Sequence, residues 1–155
     1  MFALMNALIS ILHSLAAILW IGGIFFAFMV LRPVSTMLEP PPRLQLWSAV
    51  FARFFPWVWV FVTTLVVTGY ADLYIRFGGL PGPGYLVAMQ VIGWVMIILF
   101  AWLAFVLVGR LHRAVREQRW PDAAAAMVPI RRIIATNLLL GILITVVGVA
   151  RPVLG

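Results

Sequence analysis

The chain has 155 residues, of which 65% are hydrophobic and only 10% are charged, whereas about a quarter of the residues of a soluble domain carry a charge. The absence of cysteine excludes disulfides, thiolate metal sites and thiol catalysis. The net charge of +7 comes from arginines in short segments beside apolar runs. That placement is typical of the positive-inside rule of membrane proteins and argues against nucleic acid as a partner.

Four stretches carry no formal charge: 1–31, 54–71, 77–109 and 133–150. About 20 apolar residues in a helix cross a hydrocarbon core of about 30 Å, so each stretch predicts one membrane-spanning helix. We predict an all-α integral membrane protein, a four-helix transmembrane bundle that forms a single domain over residues 1–155 with the lipid bilayer as its surroundings.

The first helix is predicted over residues 4–31, with Arg32 and Pro33 ending it. The second is predicted over residues 43–75 with a kink at Pro56. Its first part, residues 43–55, mixes arginines with large apolar side chains, which predicts an amphipathic lead-in near the membrane interface.

A connection rich in Gly and Pro precedes the third helix, predicted over residues 85–117. Trp120, Pro121 and Asp122 then break the chain, and Asp122 is predicted to cap the fourth helix, residues 123–149.

The orientation follows from the arginines. Residues 32–53 and 110–132 hold most of them, so these two connections are predicted to be cytoplasmic and both termini periplasmic. The predicted location is therefore the bacterial inner membrane, crossed four times.

His13 is the ionisable residue that lies deepest inside a predicted span. An intramembrane ionisable group is costly, so it points to function. A neutral imidazole could ligate haem iron or copper. The alternative is a neutral histidine that hydrogen-bonds a neighbouring polar residue, for example Asn6, Ser10 or Thr145.

Three residues of the third helix are predicted near the depth of His13: Met89, Gly93 and Met96. Methionine is an axial haem ligand or a soft copper ligand, and a glycine between two methionines leaves room for a macrocycle or a close helix. We therefore predict His13 and Met89 as metal ligands, with Gly93 and Met96 lining a cofactor site. Methionines that fill gaps in the core are the alternative.

Three basic residues near the predicted membrane surfaces remain. Arg76 and Arg151 are predicted near the periplasmic surface, where they could hold haem propionates or anionic lipid, or simply anchor the helices. His112 lies among arginines at the other side and is predicted to be solvated near lipid head groups.

Residues 12–26 read LHSLAAILWIGGIFF: a His, a Trp seven residues later, a hydrophobic residue and Gly-Gly. This segment resembles the start of the CopD family of bacterial inner-membrane proteins, which are associated with copper handling. Weaker similarities extend over nearly the whole chain, at residues 31–33, 51–57, 89–94 and 130–137.

The resemblance implies a role in copper uptake or tolerance, with the family's first-helix histidine at His13. A similar His-bearing helix occurs in HemJ-type protoporphyrinogen oxidases and in small membrane b-type cytochromes, so haem b is implied as well. The chain lacks a second His near Val87 or Ala88 and lacks Lys throughout, which excludes bis-histidine haem within one chain and departs from the HemJ-type pattern. His–Met ligation, a single axial His or a ligand from another subunit remains.

The predicted function is a CopD-like protein that binds a redox metal centre, haem b or copper, through His13 in the periplasmic half of the bundle. It would serve copper homeostasis or membrane electron transfer, with a membrane or periplasmic redox partner or a second copy of the chain. The alternative is a cofactor-free accessory or assembly subunit of a larger membrane complex. A copper-conducting carrier is a third, less favoured reading.

Overall fold

In the computed structural model, residues 2–79 and 83–154 are described, with side chains for residues 3–79 and 83–150. The described residues contain helices and turns and no strand. Four helical stretches are long and apolar enough to cross a membrane: Ala3–Ser35, Pro40–Phe77, Gly84–Arg116 and Trp120–Ala150. This confirms the predicted all-helical fold with four helices long and apolar enough to span a membrane, while membrane insertion and the orientation of the termini stay predictions.

Six α-helices and two π-helical segments make up these stretches. In chain order they are α1 (Phe2–Phe25), π1 (Phe26–Leu31), α2 (Arg32–Ser35), α3 (Pro40–Phe77), α4 (Gly84–Trp102), π2 (Leu103–Leu107), α5 (Val108–Arg116) and α6 (Trp120–Leu154). Neither π segment was predicted, because a π turn leaves no distinctive hydrophobic pattern.

The first span does not end at Arg32 and Pro33, as we had predicted, but continues through α2 to Ser35. Pro33 lies in the first turn of α2, directly after π1. Proline lacks an amide hydrogen and cannot donate to the preceding turn, yet the helical conformation continues through it to Ser35.

The predicted lead-in, residues 43–55, is the first part of one continuous helix, α3, as predicted. Its residues Leu44, Trp47 and Phe51 are buried in the core of the bundle. The helix begins at Pro40, passes through Pro56, and ends where Gly78 takes the left-handed conformation, φ 73°, that glycine adopts without strain.

The third and fourth spans meet at a tight turn over residues 117–119, where Gln118 has φ 55°. Asp122 was predicted to cap α6, but this prediction is wrong. The helix already begins at Trp120, and Asp122 lies in its first turn. There its carboxylate forms an ion pair with Arg119 and interacts favourably with the positive end of the helix dipole.

The four spans associate in pairs: α1 packs along α3, and α4 and α5 pack along α6. The core lies mainly toward the end of the bundle that holds α5 and the starts of α3 and α6, which we call the Arg-rich end. Phe100 is its centre, with Trp59 at 5.0 Å and Phe55 at 5.1 Å between ring centroids. The other half, which holds His13, has few buried side chains, among them Ala16, Thr68 and Leu73.

Candidate functional site

His13 faces α3. Its Nδ1 lies 2.8 Å from Oγ1 of Thr68. The single hydroxyl proton of Thr68 is directed to the carbonyl oxygen of Thr64, 2.6 Å away in the same helix. Since that proton is engaged, the hydroxyl oxygen accepts from Nδ1–H of His13. The neutral imidazole then carries its lone pair on Nε2.

Nε2 has no hydrogen-bond partner among the described residues. The edge of the half-buried ring rests against Gly69, where an added Cβ would lie 3.4 Å from Cε1 of His13. The ring is thus held by the hydroxyl of Thr68 and by the backbone at Gly69. Nε2, the nitrogen with the free lone pair, contacts no hydrogen-bonding group of the described structure. Metal-ligating histidines commonly donate their other ring N–H to a protein group in the same way.

The polar contacts continue along the two helices. Nη2 of Arg76 lies 2.9 Å from Oγ of Ser10 and 3.3 Å from the carbonyl oxygen of Asn6, and Nε of Arg76 lies 2.7 Å from Oδ1 of Asp72. The residues recur every three or four positions, so they share one face of each helix. We call this set the α1–α3 polar seam: Asn6, Ser10 and His13 on α1, and Thr68, Asp72 and Arg76 on α3.

Two oxygens of this seam are buried without a hydrogen bond from the described residues: Oδ1 of Asn6 and Oδ1 of Asp72. Arg76 is close to the second one, but the ion pair is not aligned as a hydrogen bond. A buried acceptor without a donor costs about 1–3 kcal/mol. The seam therefore has acceptor capacity left for a cation or for water.

The residues of the third span that were predicted to form the cofactor site lie against α6. Sδ and Cε of Met89 pack on Gly148, where an added Cβ would lie 3.2 Å from Cε. Gly93 faces Ile144, whose Cδ1 would be 3.8 Å from an added Cβ. Thus α6 borders this part of the predicted site, while the hydrogen bond of His13 goes to α3.

Met96 is deeply buried, with 2% of its surface exposed, and its carbonyl oxygen lies 3.4 Å from Nδ2 of Asn137. It belongs to the core cluster around Phe100. Met96 therefore packs as a core residue toward the Arg-rich end.

Met89 nevertheless shares the depth of His13. Gly141 of α6 lies against Ile21 of α1, with an added Cβ 3.0 Å from Cγ1 of Ile21. Because α1 and α6 run antiparallel, Gly148, seven residues after Gly141, lies near the level of residue 14. The thioether of Met89 on Gly148 is therefore close to the level of the imidazole.

His112, which was predicted to be solvated, is partly exposed and also hydrogen-bonded. Its Nδ1 lies 2.7 Å from Oγ of Ser48 on α3, at the Arg-rich end. The two histidines of the chain thus lie at opposite ends of α3.

The residues present fit a metal bound through one imidazole nitrogen and do not fit bis-histidine haem within one chain. No cluster of three or more His, Asp or Glu side chains placed to hold a metal is found in the described part of the chain.

The two arginines predicted near the surface have different outcomes. Arg76 is tied to α1 and to Asp72 through the seam. The side chain of Arg151 lies outside the described side chains. Neither observation tests a role in binding propionates or lipid.

The partner of His13 was missed from sequence, since Asn6, Ser10 and Thr145 were the suggested partners. The hydroxyl of Thr145 instead donates to the carbonyl oxygen of Gly141 in its own helix. A signal for Thr68 was present: Thr64, Thr68, Asp72 and Arg76 recur every four residues and mark one polar face of the second span.

The family model of copper resistance protein D (CopD) matches residues 48–151. That range covers Thr68, Asp72, Arg76 and Met89 but begins after α1, so His13 lies outside it. No curated protein and no solved structure matches the chain significantly. Because the matched range covers more than half of the chain and the described fold is a set of four apolar helices, the chain is a multi-pass membrane protein that belongs to the copper resistance protein D family.

Proposed function

We propose that this protein handles copper within the membrane and that Nε2 of His13 is its primary ligand for the ion. Membership of the copper resistance protein D family supports copper as the ion. The observation that carries the assignment to His13 is the hydrogen bond from Nδ1 to Thr68, because it leaves the other nitrogen unprotonated. Imidazole is a common copper ligand in proteins.

The α1–α3 polar seam supports this proposal further. It joins His13 to the end of the bundle where α1 begins and α3 ends, which we predict to face the periplasm. The buried oxygen of Asn6 that accepts no hydrogen bond from the described residues would stabilise a cation along this path. Met89, at nearly the same depth on α4, is our candidate for a second, thioether ligand, since soft thioethers favour Cu(I).

The test is a copper titration of the purified full chain in lipid nanodiscs, with a competing chelator of known affinity and metal analysis after gel filtration. We expect about one tightly bound copper per chain. His13→Ala should abolish it, whereas His112→Ala, which removes the other histidine, should retain it. Met89→Leu should weaken binding less than His13→Ala does.

Other outcomes would overturn the proposal. Equal copper binding by the parent and by a folded His13→Ala variant would remove His13 as the ligand. A Soret band that is lost in His13→Ala, without bound copper, would replace copper by haem b. Protein that binds neither and co-purifies with a larger membrane complex would support the accessory-subunit alternative instead.

A further inference from the structure

A groove opens between α5 and the start of α6, at the opposite end of the bundle from His13. Its volume is about 670 Å³. Phe105, Val106, Ala125 and Pro129 form its apolar wall. Phe105 and Val106 belong to π2, and Phe105 leaves 73% of its surface exposed.

Small residues keep the groove open. Apart from its chain neighbours and its own helix backbone, no described atom lies within 4 Å of the place where Gly109 would carry a Cβ, and alanines 125 and 126 of α6 line the groove as well. The wider turn of π2 lies directly beside them. Packing that is dense around Phe100 is therefore interrupted at this site.

The mouth of the groove is basic. Arg110, Arg113 and Arg119 line it, with Asp122 as its acidic residue. Arg119 is engaged by Glu117 and Asp122, and these hydrogen bonds raise the pKa of Arg119 above its ordinary value. Arg110 and Arg113 have no ion pair with any described residue, and their spacing of three places them on one face of α5.

We propose that this groove binds an anionic phospholipid, with the phosphate at Arg110 and Arg113 and an acyl chain along Phe105, Val106 and Pro129. The lining of the groove is arranged as a phospholipid is. The charged residues of the lining lie toward the helix ends, and its apolar residues lie along the apolar span. The volume falls within the roughly 300–1,000 Å³ that small-molecule sites occupy. Basic pockets between membrane helices hold lipid head groups in this way.

The test uses the full chain, stripped of lipid in detergent, and native mass spectrometry with added phosphatidylglycerol or phosphatidylcholine. We expect retention of one phosphatidylglycerol in preference to phosphatidylcholine. Arg110→Gln with Arg113→Gln should weaken phosphatidylglycerol binding roughly 30-fold, because each juxtamembrane arginine contributes a factor of about five. Arg53→Gln with Arg132→Gln changes the charge equally outside the groove lining and should leave that binding unchanged.

A second variant separates the groove from general charge. Ala125→Phe fills it and should reduce retention of phosphatidylglycerol, whereas Ala124→Phe on the neighbouring exposed position should not. Equal losses in the two arginine pairs, or no loss in Ala125→Phe, would overturn the proposal. Competition by inorganic phosphate alone, with no requirement for an acyl chain, would also overturn it. The outcome is independent of copper binding at His13.

Discussion

Gly23 on α1 lies directly under the ring of Phe54 on α3, so that a Cβ at Gly23 would come within 2.8 Å of Cε2 of the ring. At the preceding residue, Gly22, an added Cβ would have no atom of another described segment within 4 Å. The two glycines of the Trp-hydrophobic-Gly-Gly motif therefore differ in purpose. Gly23 permits the close approach of α1 and α3 that also brings His13 to Thr68.

This relationship gives a matched pair of variants. Gly23→Ala should be about 1–3 kcal/mol less stable than Gly22→Ala, because the new methyl group must displace the ring of Phe54. Both substitutions gain the same helix propensity, so their difference isolates the contact. Thermal unfolding in one detergent measures it. Equal stabilities would contradict the close approach.

Thr68→Val should weaken copper binding about 10–100-fold while the chain stays folded, because the imidazole loses the group that sets its tautomer and orientation. The control is Thr64→Val, whose hydroxyl bonds only the carbonyl oxygen of Val60 in its own helix. The chelator titration described above measures both. Similar affinities of the two valine variants would argue against the Thr68 contact as a positioning interaction.

Arg76 and Asp72 should behave as a coupled pair. Arg76→Leu leaves the carboxylate of Asp72, which is only about a quarter exposed, without its cation. Adding Asp72→Asn should recover part of the loss, with a coupling energy of about 1 kcal/mol because the pair is partly screened. A double-mutant cycle of unfolding free energies checks this. Additive effects would mean that the ion pair contributes nothing.

Ser48→Ala should destabilise the chain by about 1 kcal/mol, since it removes the hydroxyl bonded to His112 across α3 and α5. Ser14→Ala provides the comparison, because Ser14 is exposed and its side chain makes no hydrogen bond among the described contacts. Chemical unfolding in mixed micelles distinguishes the two. Unchanged stability of the Ser48→Ala variant would instead support the prediction that His112 is solvated near lipid head groups.

Asn137 should tolerate an apolar replacement. It is 2% exposed, its Oδ1 has no hydrogen-bond partner in the described structure, and the hydrogen bond from its Nδ2 to the carbonyl oxygen of Met96 is 3.4 Å long. Asn137→Leu should therefore be neutral or up to about 1 kcal/mol more stable, because the desolvation cost of the unpaired oxygen disappears. Asn137→Ala should be less stable, since it leaves a cavity. Thermal unfolding of the two variants tests the contrast, and a large loss in Asn137→Leu would contradict it.

The number of apolar helices, the approximate limits of the last two and the position of His13 inside an uncharged stretch could be predicted from the sequence, because apolar length and charge are local properties. Membership of the copper resistance protein D family was also indicated by the sequence. The proline positions led to wrong predicted boundaries, since the first span continues past Pro33 to Ser35 and the second helix already begins at Pro40.

The pairing of the helices could not be predicted from the sequence. The spans are apolar on most of their surface, so no hydrophobic stripe indicates the face that meets a neighbour. The choice of Thr68 as the partner of His13, the packing of Met89 on Gly148, and the groove beside π2 all depend on contacts between segments that are distant along the chain. Such contacts follow from side-chain shape and close packing, which residue composition does not encode.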